Sequence, residues 1–266
     1  MEPGVRVDLE AGVAVVTIDR PDVRNAIGFA TMDELARALD RVLASDAAVL
    51  VLRGGGDRAF VSGGDIKELD RLRTHDDALA MARRMRRLLD RVADLPIPVL
   101  AALNGHALGG GAEVAIAADI RIAADDVRIG FNQVSLGIMP AWGGAERLAA
   151  TIGRGRALLA IATGELYGAL DAQRLGLVDV VVPRATFEDD WRALAARMAA
   201  TAPGATRAVK SVIAAAVPAV HAELAAGATD AFARLWTADA HWAAVDALQQ
   251  RRTDVTRGTP FPRTDR

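Results

Sequence analysis

The 266-residue chain contains no cysteine. That excludes a disulfide framework, a thiolate nucleophile and a cysteine-ligated metal site. Aromatic residues make up only 4% of the chain, and its 52% hydrophobic content is largely alanine, leucine and valine, a balance that suits a helix-rich α/β enzyme. A formal net charge of −2 removes any general attraction to nucleic acid or to a membrane surface. No uninterrupted apolar run reaches the ~18 residues that cross a bilayer. The opening MEPGVRVDLE lacks a basic-then-apolar leader, so a cytoplasmic location is expected. GxGxxG, GK[ST] and HExxH are all missing, and no acidic or histidine cluster has ligand spacing, so neither a nucleotide loop nor a metal site is expected.

What the chain does have is glycine after strands. The apolar run Val99–Leu103 leads into Asn104-Gly105-His106-Ala107-Leu108-Gly109-Gly110-Gly111-Ala112-Glu113 and then into a helix-like segment with Val114 and Ile116. Glycine lets the chain turn sharply and lets a ligand approach the backbone. A helix start there offers unpaired N–H groups and partial positive charge, with Glu113 in the first turn. A second segment has the same design: the strand Ala47–Arg53, then Gly54-Gly55-Gly56, then Ala59-Phe60-Val61-Ser62-Gly63-Gly64-Asp65-Ile66. Two such loops can each give one N–H to a single carbonyl oxygen, which is an oxyanion hole, worth about 2.7–4 kcal/mol per donor in acyl chemistry.

Around these loops the pattern alternates strands and helices. Val5–Leu9 and Val13–Asp19 read as a hairpin about Glu10-Ala11-Gly12. Thr31-Met32-Asp33-Glu34 reads as a capping box that opens a helix buried through Leu35, Leu39, Val42 and Leu43. A second helix, around Asp76–Ala93, buries Met81, Met85, Leu88, Leu89 and Val92. Within it, Arg83-Arg84-Met85-Arg86-Arg87 reads as a solvated face in preference to a phosphate or RNA site. Strands are expected at Pro96–Leu103, Asp119–Ile122, Arg128–Ile129 and Val178–Val182. From Thr201 onward the pattern is helical only, punctuated by Pro203, Pro218 and Gly227. We divide the chain into a catalytic unit, 1–200, and a helical region, 201–266.

AFVSGGDIKEL and NGHALGGGAE resemble the two signatures of the enoyl-CoA hydratase/isomerase (crotonase) superfamily. PDVRNA (Pro21–Ala26), LGIMPAWGGAERL (Leu136–Leu148) and RLGLVDVVVP (Arg174–Pro183) continue the likeness in the family's order. The resemblance implies an α/β fold of the crotonase type, a spiral of ββα units with C-terminal helices that assemble trimers or hexamers. It implies lyase or isomerase chemistry of fatty-acid metabolism on an acyl-CoA thioester, through an enolate held in an oxyanion hole. It places the hole on the N–H groups of Gly64 and Gly110, and the first catalytic glutamate on Glu113. Coenzyme A enters as part of the substrate, with no separate cofactor, and its binding falls on Arg24, Ala26, Ser62, Asp65 and Ile66. Arg24 either faces a phosphate or is merely solvated.

The family's second catalytic glutamate falls three residues after Gly130, where this chain has Gln133. Glutamine cannot take a proton, so two-glutamate hydration is in doubt. Decarboxylation of an alkylmalonyl-CoA needs the hole but not the second carboxylate. GIMPAWGGAERL resembles that ethylmalonyl-CoA decarboxylase-like branch, with a weaker echo in Leu235-Trp236. A catalytically silent assembly paralogue and an RNA-binding member are the readings of another class. Trp142 either walls an acyl pocket or fills core. His106 either reaches the acyl group or is structural, and His221 and His241 have no partner pattern.

Overall fold

The computed structural model describes residues 4–216 and 222–256. Its strands are β1 (Val5–Glu10), β2 (Val13–Ile18), β3 (Val49–Gly54), β4 (Ala59–Val61), β5 (Val99–Leu103), β6 (His106–Leu108), β7 (Ile120–Ala124), β8 (Arg128–Gly130), β9 (Tyr167–Gly168) and β10 (Val180–Val182). The α-helices up to residue 175 are α1 (Phe29–Leu43), α2 (Ile66–Leu69), α3 (His75–Ala93), α4 (Gly110–Ile116), α5 (Gly144–Ile152), α6 (Arg154–Thr163) and α7 (Ala169–Leu175). Four more follow: α8 (Phe187–Ala199), α9 (Pro203–Ala216), α10 (Ala222–Trp236) and α11 (Asp239–Thr256). Pro218 and His221 lie outside the described residues.

The predicted hairpin is β1–β2, joined by Ala11 and Gly12, which both take positive φ. That is the backbone sense whose twist suits a two-residue hairpin turn. After it the chain winds as a spiral. Each turn gives one strand to a six-stranded sheet, ordered β1-β2-β3-β5-β7-β10, and the next strand to a four-stranded sheet, ordered β4-β6-β8-β9. Helices close each turn. From β2 onward the neighbours in the larger sheet are all parallel, and its central strands β3 and β5 are buried almost throughout. Their near-continuous Val, Leu and Ala content is what burial on both faces demands. This is the ββα spiral of the crotonase fold.

In the smaller sheet β4, β6 and β8 are adjacent and parallel. Their C-terminal ends therefore lie side by side, although each comes from a different turn. The loops that leave those ends carry Gly63-Gly64, Gly109-Gly110 and Asn132-Gln133 respectively. The topology alone gathers these three segments at one edge.

Two local readings need correction. Helix α1 begins at Phe29, capped from a distance: the Phe29 N–H donates to Glu68 Oε1 at 3.0 Å, and Thr31 lies inside the helix. A cap supplied by α2 displaces the local Thr31–Glu34 box, whose sequence signal has no way of registering it. The arginine run is no uniform solvated face either. Arg83 and Arg87 are exposed, but Arg86 is buried and donates to Glu146 Oε1 at 2.7 Å, tying α3 to α5. The other predicted helix is α3, with Thr74 capping the Asp77 N–H.

The C-terminal helices also differ from a thin appendage. Helix α10 packs along α3, and Phe232 and Trp236 are buried within the single chain, whereas Leu224 and Leu235 remain exposed. Among the described residues no helix is long and apolar enough to cross a membrane.

Candidate active site

A cavity of about 560 Å³ opens at the edge where the three loops meet. Gly63 and Gly109 turn the chain with φ of +101° and +56°, a region that side chains rarely enter. Parallel hydrogen bonds fix the first loop: Ile27 N–H donates to Gly63 O, and Asp65 N–H to Ile27 O, both at 2.9 Å. The N–H groups of Gly64 and Gly110 have no hydrogen-bond partner among the described residues. Gly110 is the first residue of α4, so its N–H is one of the donors that a helix start leaves unused. There is no room for a side chain here. A methyl group on Gly110 would come within 2.3 Å of Trp142 Cζ3 and 3.0 Å of the Gly63 Cα.

Glu113, one turn further along α4, is buried and lines the same cavity. Its Oε1 accepts the backbone N–H of Trp142 at 2.7 Å and of Gly144 at 3.0 Å, while Oε2 accepts Gln133 Nε2 at 3.1 Å. Burial pushes the carboxyl up from 4.5 to about 7, opposed by those three donors and aided by the nearby Glu146 charge. A carboxyl poised near neutrality can both take and return a proton. Among the residues that line the cavity it is the only buried carboxylate. Gln133 turns its amide N–H toward Glu113, which leaves Gln133 Oε1 buried with no partner among the described residues.

The loop from 141 to 144 is held in turn. Arg147 Nη1 donates to the Trp142 carbonyl at 3.0 Å and its other nitrogen pairs with Asp90 on α3. Trp142 lies against both glycine loops and lines the cavity, so it is a wall of the site as well as a filler. The C-terminal helices add Phe232, Trp236, His241, Trp242, Val245 and Leu248 to the lining of the cavity. Arg24, Arg58, Asp126 and Arg184 stand around it, Arg184 paired with Asp126.

Comparison with known proteins agrees with this geometry. The enoyl-CoA hydratase/isomerase family matches residues 8–253. The chain belongs to that family. An enoyl-CoA isomerase/hydratase, fer4, from Mycosarcoma maydis is 36% identical over 97% of both chains. A short-chain-enoyl-CoA hydratase from Clostridium acetobutylicum is 36% identical, over 79% of this chain and 80% of the relative. Among solved structures, an enoyl-CoA hydratase from Mycobacterium avium subsp. paratuberculosis superposes with a TM-score of 0.83 at 28% identity, over 91% of this chain and 98% of the other. A carnitinyl-CoA hydratase from Mycobacterium avium gives 0.81 at 29% identity, over 94% and 97%. These names favour neither the decarboxylase branch nor the silent or RNA-binding readings.

For a hydratase/isomerase family member, the residues sort as follows. Gly64, Gly110, Glu113, Gln133 and Trp142 line one cavity, together with Arg24, Ser62 and Ile66. Ala26 and Asp65 stand beside it, both held by Arg20, which donates to the Ala26 carbonyl at 2.5 Å and pairs with Asp65 at 3.0 Å. His106 is exposed at the cavity mouth, its Nδ1 accepting the Arg128 N–H at 3.1 Å. Two buried asparagines in the motifs serve the loops. Asn25, itself at positive φ, donates to the Gly55 and Ala59 carbonyls, and Asn104 bridges Gly54 N–H and Gly56 O. Sequence reading missed the aromatic end of the cavity; the clustering of Trp236, His241 and Trp242 within a few residues was its one available signal. Among the described residues no group of three potential ligands could hold a metal ion.

Proposed function

We propose that this chain moves the double bond of a 3-enoyl-CoA into conjugation with its thioester, using Glu113 as the single proton carrier. The observation that carries this reading is one buried carboxyl, poised at about 7, in the same cavity as two N–H donors without partners. The thioester oxygen sits between the Gly64 and Gly110 N–H groups. Glu113 takes a proton from C2, and the electron pair moves onto the thioester oxygen as a dienolate that the two donors stabilise. The protonated Glu113 then returns the proton to C4, which leaves the double bond between C2 and C3. Proton, charge and bonds balance without a second acid or base.

Hydration, the addition of a water at C3, is the second reading, favoured by the hydratase names of the relatives. Gln133 cannot deprotonate that water, so Glu113 carries the proton alone. Coenzyme A enters with the substrate, along Arg24, Ser62 and Ile66 at the cavity and the backbone near Ala26 and Asp65; no separate cofactor is invoked. In the same proposal residues 1–200 are the catalytic core, whose cavity α10 and α11 help to wall. Residues 201–266 assemble trimers or hexamers in the cytoplasm, without nucleic acid or membrane as partner.

The test is to offer the purified protein a 3-enoyl-CoA and crotonyl-CoA and follow isomerisation and hydration separately. Isomerisation should exceed hydration by about tenfold or more, since general acid–base groups typically contribute 10²–10⁴-fold and the second one is missing. Faster hydration overturns the order of the two readings. Light scattering that shows a monomer overturns the assembly.

A further inference from the structure

Arg86 and Glu146 form an ion pair outside the active-site cavity, between α3 and the first turn of α5. Arg86 Nη1 donates to Glu146 Oε1 at 2.7 Å, and both side chains are about nine-tenths buried. The Arg86 guanidinium also stands 3.8 Å from Asp90, which in turn pairs with Arg147. Charges of opposite sign therefore alternate from α5 to α3 and back: Glu146, Arg86, Asp90, Arg147. None of the four lines the cavity, so none of them touches a substrate held there.

Both ends of this series return to the loop that holds Glu113. Arg147 Nη1 donates to the Trp142 carbonyl at 3.0 Å, and Glu146 follows Gly144 by two residues in the same helix. The N–H groups of Trp142 and Gly144 are the two donors on Glu113 Oε1. The approach is tight: a methyl group on Gly144 would come within 2.4 Å of the Glu113 Cγ. Glu146 itself is only half matched, because its Oε2 is buried with no partner among the described residues. A buried ion pair adds little to stability, since desolvation offsets the attraction and an apolar pair of similar volume often does as well. An unpartnered buried oxygen makes it poorer still, so joining two helices does not account for it. Its effect on Glu113 does: the Glu146 charge adds to burial in pushing that carboxyl up.

We propose that Glu146 is a positioning residue for the reaction: held by Arg86, it fixes the first turn of α5 against Glu113 and keeps a negative charge beside the catalytic carboxyl. This rests on the reading of Glu113 as the proton carrier and deepens it, because the balance between taking and returning the proton is then set from outside the cavity. The polar groups set against Glu113 are the Trp142 and Gly144 N–H groups and the Gln133 amide. The charged groups around Glu146 are Arg86 and Asp90 from α3 and Arg147 from its own helix.

The test reads proton affinity, which a purely structural brace would leave unmoved. Isomerisation of a 3-enoyl-CoA is followed as kcat/KM from pH 5 to 9. Over the same range the protonated Glu113 carboxyl is followed by its infrared C=O band, which Glu113→Gln identifies by its loss. Glu146→Gln keeps the shape and removes the charge, so both midpoints should fall by about one pH unit, the low end of what a charge ~4–6 Å away produces. Glu146→Asp keeps the charge and should keep both midpoints near those of the unmodified protein. Arg86→Met combined with Glu146→Gln leaves neither partner as an unpaired buried ion, which guards against a single variant that fails to fold. Its midpoints should also fall. Midpoints that stay in place in the variants without the Glu146 charge overturn the proposal, whatever happens to rate or stability. A fall of the same size in Glu146→Asp overturns it too. An infrared midpoint that moves as expected in a protein that turns over no 3-enoyl-CoA overturns the proposed reaction and leaves the role of Glu146 standing. The absence of any titrating Glu113 band overturns both.

Discussion

At its glycine end the cavity is walled by backbone, with Gly64 and Gly110 N–H groups delivered by adjacent parallel strands and the Glu113 carboxyl fixed by three donors. Elsewhere it is walled by side chains from α10 and α11, with one histidine bonded at a single nitrogen among the described residues. The first end is over-determined. Each donor is held by a strand, a helix start or a loop that Arg147 braces, so its geometry cannot drift by a side-chain rotation. The second end depends on rotamers and on how α10 settles against α3 and α11 against the turn Asn132–Leu136. The difference separates two tasks. In the proposed reaction the first end meets the transition-state charge, whereas the second, built on the buried Phe232, Trp236 and Val245, borders the acyl chain.

The contrast is broken most severely at Glu113. Glu113→Gln should lower isomerisation by 10²–10⁴-fold, since it removes the proton carrier but keeps the shape. The unmodified protein should show activity that rises with pH through a midpoint near 7, as the carboxyl becomes the base. A pH profile flat between 5 and 9 would contradict the assignment.

Next comes the hole. Gly110→Pro removes a donor and should cost about 10²–10³ in kcat. Any Cβ at position 110 also presses on Trp142 Cζ3, at 2.3 Å, so the substitution is best compared in a Trp142→Phe background, where the ring is shorter. If Gly110→Pro adds nothing to the loss caused by Trp142→Phe alone, the fixed-donor account fails.

Gln133→Glu then probes the boundary between the two ends. It replaces the N–H donor 3.1 Å from Glu113 Oε2 by a second carboxylate. Like charges so close keep one proton between them, so the pair titrates as a unit. Hydration of crotonyl-CoA should rise about tenfold or more, within a bell-shaped pH window; an unchanged hydration rate would mean that the missing carboxylate is not what limits it.

The smallest effect is on stability, and it sharpens the contrast by asking what the fixed end costs. The folded-state pKa of Glu113 is raised above its ordinary value, so its stabilising contribution is complete below about 4.5 and is lost as pH rises through about 7. Glu113→Gln removes that dependence, and Gln133 can turn its amide to pair with the new one. At pH 8 the variant should melt a few degrees above the unmodified protein, with the gap closing toward pH 5. A gap of the same size at both pH values would show that the buried charge is not its origin.

Much of the rigid end was legible in the sequence because its parts are local. Strand-then-glycine segments, Glu113 three residues beyond Gly110, and the Gln133 substitution each read directly from short motifs. What those motifs left open was partnership across turns. Glu68 caps α1 and Arg86 pairs with Glu146 through contacts that only the stacked spiral creates. Arg20 takes Asp65 for the same reason. The aromatic end was not legible, since Trp236, His241 and Trp242 look like ordinary apolar helix positions until α10 lies against α3. The same packing explains why Phe232 and Trp236 need no second copy of the chain to bury them.

The cap that Glu68 gives to Phe29 joins two parts of the spiral through one amide proton. Glu68 lies in α2, which starts two residues after Gly64, so whatever steadies the Gly64 loop also steadies the carboxylate that shields the Phe29 N–H. That proton is consequently a built-in gauge of occupancy. Its exchange with solvent deuterium should slow when a thioester fills the cavity, although Phe29 itself lines no part of it.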